Sequence, residues 1–593
     1  MTVFGKNIFH SRLALAAAST VFYIGCILLL QALAPAGANW GAEKKLIGCC
    51  AILFTLTITL LGYSRRAWIS CFTFLALYLS IAFLETRVGM KVNGTELIRT
   101  AALATILFAA ASSTASLQNF LPARFRFLLH LLAAILCLPL LLYPLLFWGY
   151  FALDKKLLSV YDTLAIFQTN LEEATEYLQN FHFALPFIFI AALLALLTIS
   201  FMLVTPPPSR YSSKIALPLL ILILIFSTIG FPVAGNCTAG KLIQITCQKL
   251  EAYGTYAQKA RDRKAKLSKI NIQLSQKEPG IYLLIIGESE TRDHMSIYGY
   301  PHENTPYFTE LSTNPNTLIF KNTYSNHVYT IHTLTYALSA KNQYNSIPLE
   351  DSFSLIEIAK AAGYKTYWLS NQNPFVAADT PLTSIALSAN KQAFIMKSKK
   401  GVQLTYDESL ADALPDLSKD THALVIMHLR GCHVKYTERY PKQYQIKTGN
   451  NPIVNEYDSA IYHNDFALRH LTDALTKYKH FKGWIYFSDH GEEPDLNYAH
   501  TIKHFTWQMT RIPLIMHFTP DFISENPQIF ETLATHQDRY WTNDLLYNLI
   551  LSVLGIEGAP NPEPHLDLAS PAYDRAKENV LTLHGEKPIS EEP

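Results

Sequence analysis

The sequence predicts a helical membrane domain followed by an α/β domain with a largely parallel sheet. Two observations predict it. Seven stretches of the first half, 13–36, 46–63, 67–84, 101–122, 127–153, 184–205 and 215–236, contain no Asp, Glu, Lys or Arg, and each has the ~17–25 residues that cross a bilayer. From residue 281 onward, short apolar runs alternate with helical patterns, as in strands joined by crossover helices.

The spans come first. The fourth, "AALATILFAAASSTASLQNFLP", is the least apolar, and a buried or re-entrant segment is its alternative. With it counted, residues 1–12, 64–66, 123–126 and 206–214 share one side and carry eight Lys or Arg in 28 residues; the other side carries seven in 57. Basic residues concentrate on the cytoplasmic side, so the C-terminal half faces outward. Without the fourth span this would reverse. The first apolar segment is too long for a cleavable signal peptide, despite "ALAPAGA". Five cysteines (Cys26, Cys49, Cys50, Cys71, Cys137) fall in the spans as small apolar packing residues. Cys237 and Cys247 could form a disulfide in an oxidising compartment, which would leave Cys432 unpaired; the sequence leaves that pairing open.

The segment 250–269, "LEAYGTYAQKARDRKAKLSK", reads as a solvated connecting helix, with a helix lying on anionic headgroups as the alternative. The expected division is a membrane domain over 1–236 with an outward helical segment near 162–182, a linker over 237–279, a catalytic domain over 280–560, and a tail over 561–593 that ends disordered. Strands are expected at 281–287, 317–322, 365–370, 422–429, 483–488 and 512–518. Helices are expected in "SLIEIAKAAGY", "IYHNDFALRHLTDALTKYKHF" and "NDLLYNLILSVLGI". A parallel sheet binds ligands at the carboxyl ends of its strands. The net charge of +2, with no basic reading motif, gives no sign of nucleic-acid binding.

Two strand ends carry groups of metal-binding type. "IYLLIIGESETR" delivers Glu288, and "GWIYFSDHGEE" delivers Asp489 and His490. Carboxylate oxygen with imidazole nitrogen suits zinc, and a catalytic zinc keeps a position for the reacting group. One such strand end is commonplace, because a Glu or an Asp-His-Gly turn often only caps; two in one sheet are not.

The motifs "GESETRDHMSIYGYPHENTP", "HLRGCHVKYTERYP", "YDSAIYHNDFAL" and "SDHGEE" follow the order and spacing of the phosphoethanolamine transferases, a branch of the alkaline phosphatase and sulfatase superfamily. The chain resembles most the members that act on the lipopolysaccharide core. The resemblance is strong over about 280–520 and reaches into the membrane half through "FQTNLEEATEYL". It implies an alkaline-phosphatase-type domain in the periplasm, on a multi-pass anchor in a bacterial inner membrane. It also implies that Glu288, Asp489 and His490 bind zinc together with a threonine nucleophile. "NTYSNHVYTIHTLTYALS" offers Thr330, Thr333 and Thr335; Thr330 is chosen because the family nucleophile stands just before a helix, with Thr333 next. A threonine hydroxyl needs such activation to attack a phosphodiester.

By the same resemblance, His433 and His500 contact the phosphoryl group, act as acid and base, or hold a second zinc, with His504 the alternative to His500. Asn371 and Gln372 follow a strand and either bind the headgroup or only turn the chain. Arg292 faces the site or stabilises its loop. Asp458 and Asp465 flank a helix start, where N-capping accounts for the first. Asn170 and Glu173 read as part of a helix start or as contacts for the ammonium of phosphatidylethanolamine. The expected activity is zinc-dependent transfer of phosphoethanolamine from phosphatidylethanolamine to lipopolysaccharide core or lipid A, through a covalent phosphoethanolamine-threonine. A phosphoglycerol transferase, a phosphodiesterase or sulfatase-like hydrolase, and a non-catalytic membrane-anchored binding protein are the alternatives. A sulfatase needs a Cys or Ser to convert, and transport needs ionisable residues within the spans; His130 alone meets the second need. The family usually has five spans. Unlike the lipid A branch, this external domain has few cysteines and places Cys432 where Ser or Thr usually precedes the histidine.

Overall fold

The computed structural model of the protein describes residues 3–32, 40–61, 65–88, 92, 94–117, 123–154, 157–160, 163–164, 213–275, 278–372, 380–396, 405–500 and 502–593. Two compact units divide near Leu250.

The first unit is helical. Its described helices are Val3–Ala32, Trp40–Leu60, Arg65–Arg87, Gly94–Leu117, Ala123–Asp154 and Ser213–Ala234. Six of the seven expected spans therefore coincide with helices, and the sixth, 184–205, lies outside the described residues. Among the described residues, three helical segments are long and apolar enough to cross a membrane, Ala67–Arg87, Gly94–Ser113 and Ala216–Ala234. The second of these carries much of the weak fourth span. Val21, Leu224 and Ile229 are left exposed, which suits lipid as solvent. Charge is kept to helix ends, where Arg99 pairs with the fully buried Glu43 at 2.8 Å. Cys237 and Cys247 are free thiols, which closes the pairing the sequence left open. Cys237 immediately precedes the helix Thr238–Gln258 and Cys247 sits within it; ten residues of helix span ~15 Å, far beyond disulfide reach.

The second unit is built on a seven-stranded sheet: β1 (Gly280–Gly287), β2 (Thr317–Ile319), β3 (Lys365–Ser370), β4 (Lys391–Phe394), β5 (His422–His428), β6 (Phe481–Ser488) and β7 (Leu514–Phe518). Their spatial order is β2-β7-β6-β1-β5-β3-β4. All neighbours are parallel except β7, which runs antiparallel to both β6 and β2. The edge strand β4, "KQAF", escapes sequence reading because its first two residues are polar and exposed.

Strand β1 is buried on both faces, and its side chains alternate between two cores. Tyr282, Leu284 and Ile286 pack with the helices Leu355–Ala361 and Leu546–Val553. Ile281, Leu283 and Ile285 pack with the helix Pro452–Thr476. Two-sided burial is why the strand reads as one apolar run. The helix Pro452–Thr476 starts nine residues earlier than "IYHNDFALRHL" suggested, because Asn451 caps it, accepting from Ile453 N–H at 3.0 Å, and Pro452 fits its first turn.

Two expectations are corrected at the ends of this unit. The 250–269 segment is not merely solvated: Arg263 is buried, pairs with Glu357 at 3.1 Å, and lies 3.9 Å over the Tyr256 ring. The final residues are not a disordered tail. Leu581–Thr582 and Lys587–Pro588 pair as antiparallel strands, and Val580 and Ile589 are fully buried. Their few apolar residues are separated by polar ones, so composition conceals that each has a pocket.

Candidate active site

Strands β1 and β6 are neighbours in parallel register, with Gly287 opposite Ser488. Glu288 and Asp489 therefore leave the sheet side by side. The turn after β1 is tied down on several sides. Ser289 takes a left-handed φ of 57°, Tyr457 Oη donates to Ser289 O at 2.7 Å, and Thr291 N–H donates to Tyr457 Oη at 2.9 Å. Glu290 N–H donates to Ser488 Oγ at 2.9 Å, and that hydroxyl donates to His490 O at 2.9 Å.

Among the described residues, Glu288, Asp489 and His490 form the one group of three or more metal-binding side chains whose ligand atoms all lie within 4.8 Å of one another. All three are buried. Asp489 Oδ1 accepts from Ser289 N–H (3.0 Å) and His490 N–H (2.7 Å), whereas its buried Oδ2 has no hydrogen-bond partner. His490 Nδ1 faces Gly491 O at 2.9 Å and so carries the proton, which leaves Nε2 as the ligand atom. Burial would raise the Glu288 pKa, but His490 outweighs it and holds the carboxyl well below its usual range. Burial and the Glu288 charge push Asp489 up to about 8. Burial opposes charge on His490, yet Asp489 and Glu288 carry it up to about 10. Two carboxylates and an imidazole this close make a group that could hold a metal ion.

Thr330 opens the helix Thr330–Ala337. Its Oγ1 lies 3.1 Å from Glu288 Oε2, 3.3 Å from Glu288 Oε1 and 3.3 Å from His490 Nε2. The residue is half-buried, so the hydroxyl sits at the mouth of the cluster. Thr333 and Thr335 are spent on the backbone: Thr333 donates to His327 O at 3.1 Å and Thr335 to Ile331 O at 2.5 Å.

Two histidines converge on this hydroxyl and its ligands. The His500 ring is 4.3 Å from that of His490 and 5.6 Å from that of His433. His500 Nδ1 donates to Glu492 Oε2 at 3.0 Å, which gives the fully buried Glu492 of the "SDHGEE" stretch a role the sequence left blank. Desolvation within the cleft holds His433 down to about 3, against the pull of Glu288. His504 stacks on Tyr498 at 4.5 Å, so His500 is the one beside the metal-binding group.

Asn371 is buried and donates to Asp407 Oδ1 (2.9 Å) and Thr405 O (3.0 Å). Gln372 Nε2 is the amide that reaches Glu288, at 3.3 Å. Arg292 holds its loop, donating to Thr323 O and lying 4.8 Å over the Tyr324 ring. Asp458 lies inside the helix Pro452–Thr476 and is not its cap. It accepts from His294 Nδ1 at 2.8 Å and Tyr300 Oη at 2.8 Å. Asp465 accepts from Tyr307 and Phe308 N–H at 2.7 and 3.1 Å. Asn170 and Glu173 lie outside the described residues. Burial pushes the Cys432 thiol far up, so it is a packing residue.

Sequence reasoning missed Asp407 and Asn543. Asp407 accepts Arg430 and Gly431 N–H at 2.9 and 2.8 Å. Asn543 donates to Asp489 O at 2.7 Å. Neither lies in a readable motif, because each acts across a long sequence separation.

The Sulfatase family matches residues 281–556. Phosphoethanolamine transferase EptC of Escherichia coli is 30% identical over 414 residues, covering 62% of this chain and 70% of that protein. The chain belongs to the phosphoethanolamine transferase family. Phosphoethanolamine transferase CptA of Salmonella typhimurium is 27% identical over 409 residues, covering 62% of this chain and 69% of the relative. The structure of the integral membrane protein lipooligosaccharide phosphoethanolamine transferase A from Neisseria meningitidis covers 85% of this chain and 97% of its own, with a TM-score of 0.54 and 16% identity. At that identity it shows the fold of this transferase: apolar helices followed by a domain with a mostly parallel sheet.

Proposed function

We propose that this transferase takes phosphoethanolamine from phosphatidylethanolamine, holds it as a covalent ester on Thr330, and passes it to a lipopolysaccharide core or lipid A acceptor, with zinc as its resident metal. The proposed setting is the periplasmic face of a bacterial inner membrane, with the helical half as the anchor. The observation that carries the reading is the Thr330 hydroxyl, half-buried and 3.1–3.3 Å from Glu288 and His490.

The residues fit zinc. The donor set of two carboxylates and one imidazole is of zinc-binding type, Asp489 Oδ2 is buried without a hydrogen bond and faces His490 Nε2 at 3.3 Å, and the second ring nitrogen of His490 is fixed by Gly491 O. Bound by Glu288, Asp489, His490 and Thr330, zinc would supply positive charge that lowers the hydroxyl pKa and offsets charge building on the phosphoryl group. The second position proposed for a metal, between His433 and His500, is not needed for the steps below.

The chain's own groups account for the rest. Thr330 Oγ1 attacks phosphorus, an Oγ1–P bond forms, and the P–O bond to glycerol breaks. Diacylglycerol leaves with one proton, balancing the one lost from Thr330. His500 is placed to carry that proton on Nε2, because its Nδ1 is committed to Glu492. His433, held neutral, donates to a phosphoryl oxygen without adding a charge that would trap the product. The helix N-terminus at Thr330 favours the same phosphate. In the second half the acceptor oxygen gives its proton to His500 Nε2 and attacks phosphorus, the P–Oγ1 bond breaks, and Thr330 Oγ1 takes that proton back from His500. Gln372, at 3.3 Å from Glu288, lines the substrate side, whereas Asn371 supports the turn through Asp407.

The test is intact mass and peptide mapping of zinc-loaded, full-length protein incubated with phosphatidylethanolamine. A phosphoethanolamine adduct on Thr330, absent in Thr330→Val, is the expected result. Folded, zinc-loaded protein that neither gains an adduct nor releases diacylglycerol would refute it.

A further inference from the structure

The match to the Sulfatase family ends at residue 556, yet the last fourteen residues of the chain reach the loop that carries Thr330. Thr582 Oγ1 donates to Ser325 O at 2.7 Å, and His584 N–H donates to Asn326 O at 2.9 Å. Two successive carbonyls on the approach to Thr330 are thereby held. Asn326 in turn donates through both its backbone N–H and its side-chain amide to Asn543 Oδ1, each at 2.8 Å, and Asn543 donates to Asp489 O at 2.7 Å. A continuous line of hydrogen bonds thus runs from the C-terminal segment, through the nucleophile loop, to the peptide of a metal-binding carboxylate.

The segment also grips the helix Thr330–Ala337. The His584 ring lies parallel to Tyr336, with centroids 4.0 Å apart and planes within 5°, and its Nε2 donates to His332 O at 3.3 Å. Leu583 packs with Val328 and Met509 in a small core of its own. Its far end is moored by Glu592, which accepts from Arg511 Nε at 2.6 Å and Tyr324 Oη at 2.5 Å. Leu583 and His584 hold successive left-handed φ values of 53° and 54°. Side chains other than Gly seldom adopt that region, and keep it where the surroundings over-determine it. Here the two left-handed residues seat Leu583 in the small core and His584 on Tyr336.

We infer that residues 580–593 form a strap that positions the nucleophile, with His584 as a positioning residue for Thr330. The inference rests on Thr330 being the nucleophile. A strap that only completed the fold would affect stability, zinc retention and turnover together. A positioning strap affects the rate at which Thr330 is modified and leaves zinc content and the donor KM in place, because reacting atoms displaced by about 1 Å lose ~100-fold in rate.

The experiment is rapid-quench mass analysis of the Thr330 peptide in full-length, zinc-loaded protein mixed with phosphatidylethanolamine in detergent micelles. His584→Ala is expected to slow adduct formation about 10- to 100-fold with zinc content and KM unchanged, and His584→Phe, which keeps the ring on Tyr336, to recover most of the rate. Adduct formation at the wild-type rate in His584→Ala would overturn the inference. So would a loss that tracks zinc and thermal stability and is no smaller in His584→Phe. Should His584→Ala purify unfolded, Thr582→Val removes one tie at constant volume: slower modification with full zinc supports the strap, and an unchanged rate overturns it. Absence of any adduct in the wild type would instead remove the Thr330 reading.

Discussion

Gly431 gives the sharpest test of how Glu288 is placed. It follows β5 with a left-handed φ of 50°, and a Cβ there would fall 2.7 Å from Glu288 O and 2.8 Å from Glu288 N. Both obstacles are backbone, so no side chain can swing aside. Relief requires the Glu288 peptide and the 430–432 turn to part by about 0.7–0.8 Å, to reach an ordinary carbon contact of ~3.5 Å. That movement stretches Cys432 N–H to Glu288 O and Gly431 N–H to Asp407 Oδ2, both 2.8 Å. The left-handed cost for Ala is ~1–2 kcal/mol, and weakening two hydrogen bonds adds ~1 kcal/mol each. A total of about 3 kcal/mol, at ~1.4 kcal/mol per decade, predicts zinc binding weakened by up to about 100-fold in Gly431→Ala. Competition with a zinc chelator, using the full-length protein, measures this directly. Wild-type zinc affinity together with a wild-type rate of Thr330 modification would refute the argument.

Asp489→Asn should abolish zinc retention in metal analysis while the protein still folds, because the shape is kept and the negative charge of a carboxylate ligand is lost. Glu492→Gln should slow diacylglycerol release about 10-fold or more by loosening the His500 ring, with zinc content unchanged. Thr333→Val should still acquire the adduct on Thr330, since the Thr333 hydroxyl is spent on His327 O. His294→Gln reports on pH. Burial opposes a charge on His294, but Asp458 and Asp495 outweigh it and raise its pKa. A raised histidine stabilises fully below its unfolded value of ~6.5 and loses that contribution as pH rises through the folded value. The stability gap between wild type and His294→Gln, read from urea midpoints, should therefore be widest near pH 6 and shrink toward pH 9. A constant gap would contradict the pairing.

Much of this site was legible because its chemistry sits in short, contiguous motifs at strand ends. Glu288 and the Asp489–His490 pair follow buried apolar strands, and Thr330 opens a helix. The choice among Thr330, Thr333 and Thr335 rested on the resemblance; in the fold a single hydroxyl of the three, that of Thr330, reaches Glu288. Asn371 and Gln372 are adjacent in sequence and indistinguishable there. The turn after β3 sends the first into Asp407 and the second toward Glu288. Asp458 looked like a helix cap, but the helix begins at Asn451 and makes it a partner of His294 instead.

The sequence by itself determined the two-part plan, the parallel sheet and the carboxylate and imidazole groups at its strand ends, because alternation of apolar runs and the order of polar residues at their ends are local properties. Only the tertiary structure decided the edge strand β4, the docking of Arg263 on Glu357, the free state of Cys237 and Cys247, and the folding of the last residues against the nucleophile loop. Each of these depends on contacts between distant positions, where a short polar stretch gains its order from the surface that receives it. His584 illustrates the point: in sequence it is one histidine in a polar ending, and in the fold its ring lies 4.0 Å from that of Tyr336 on the helix that begins with Thr330.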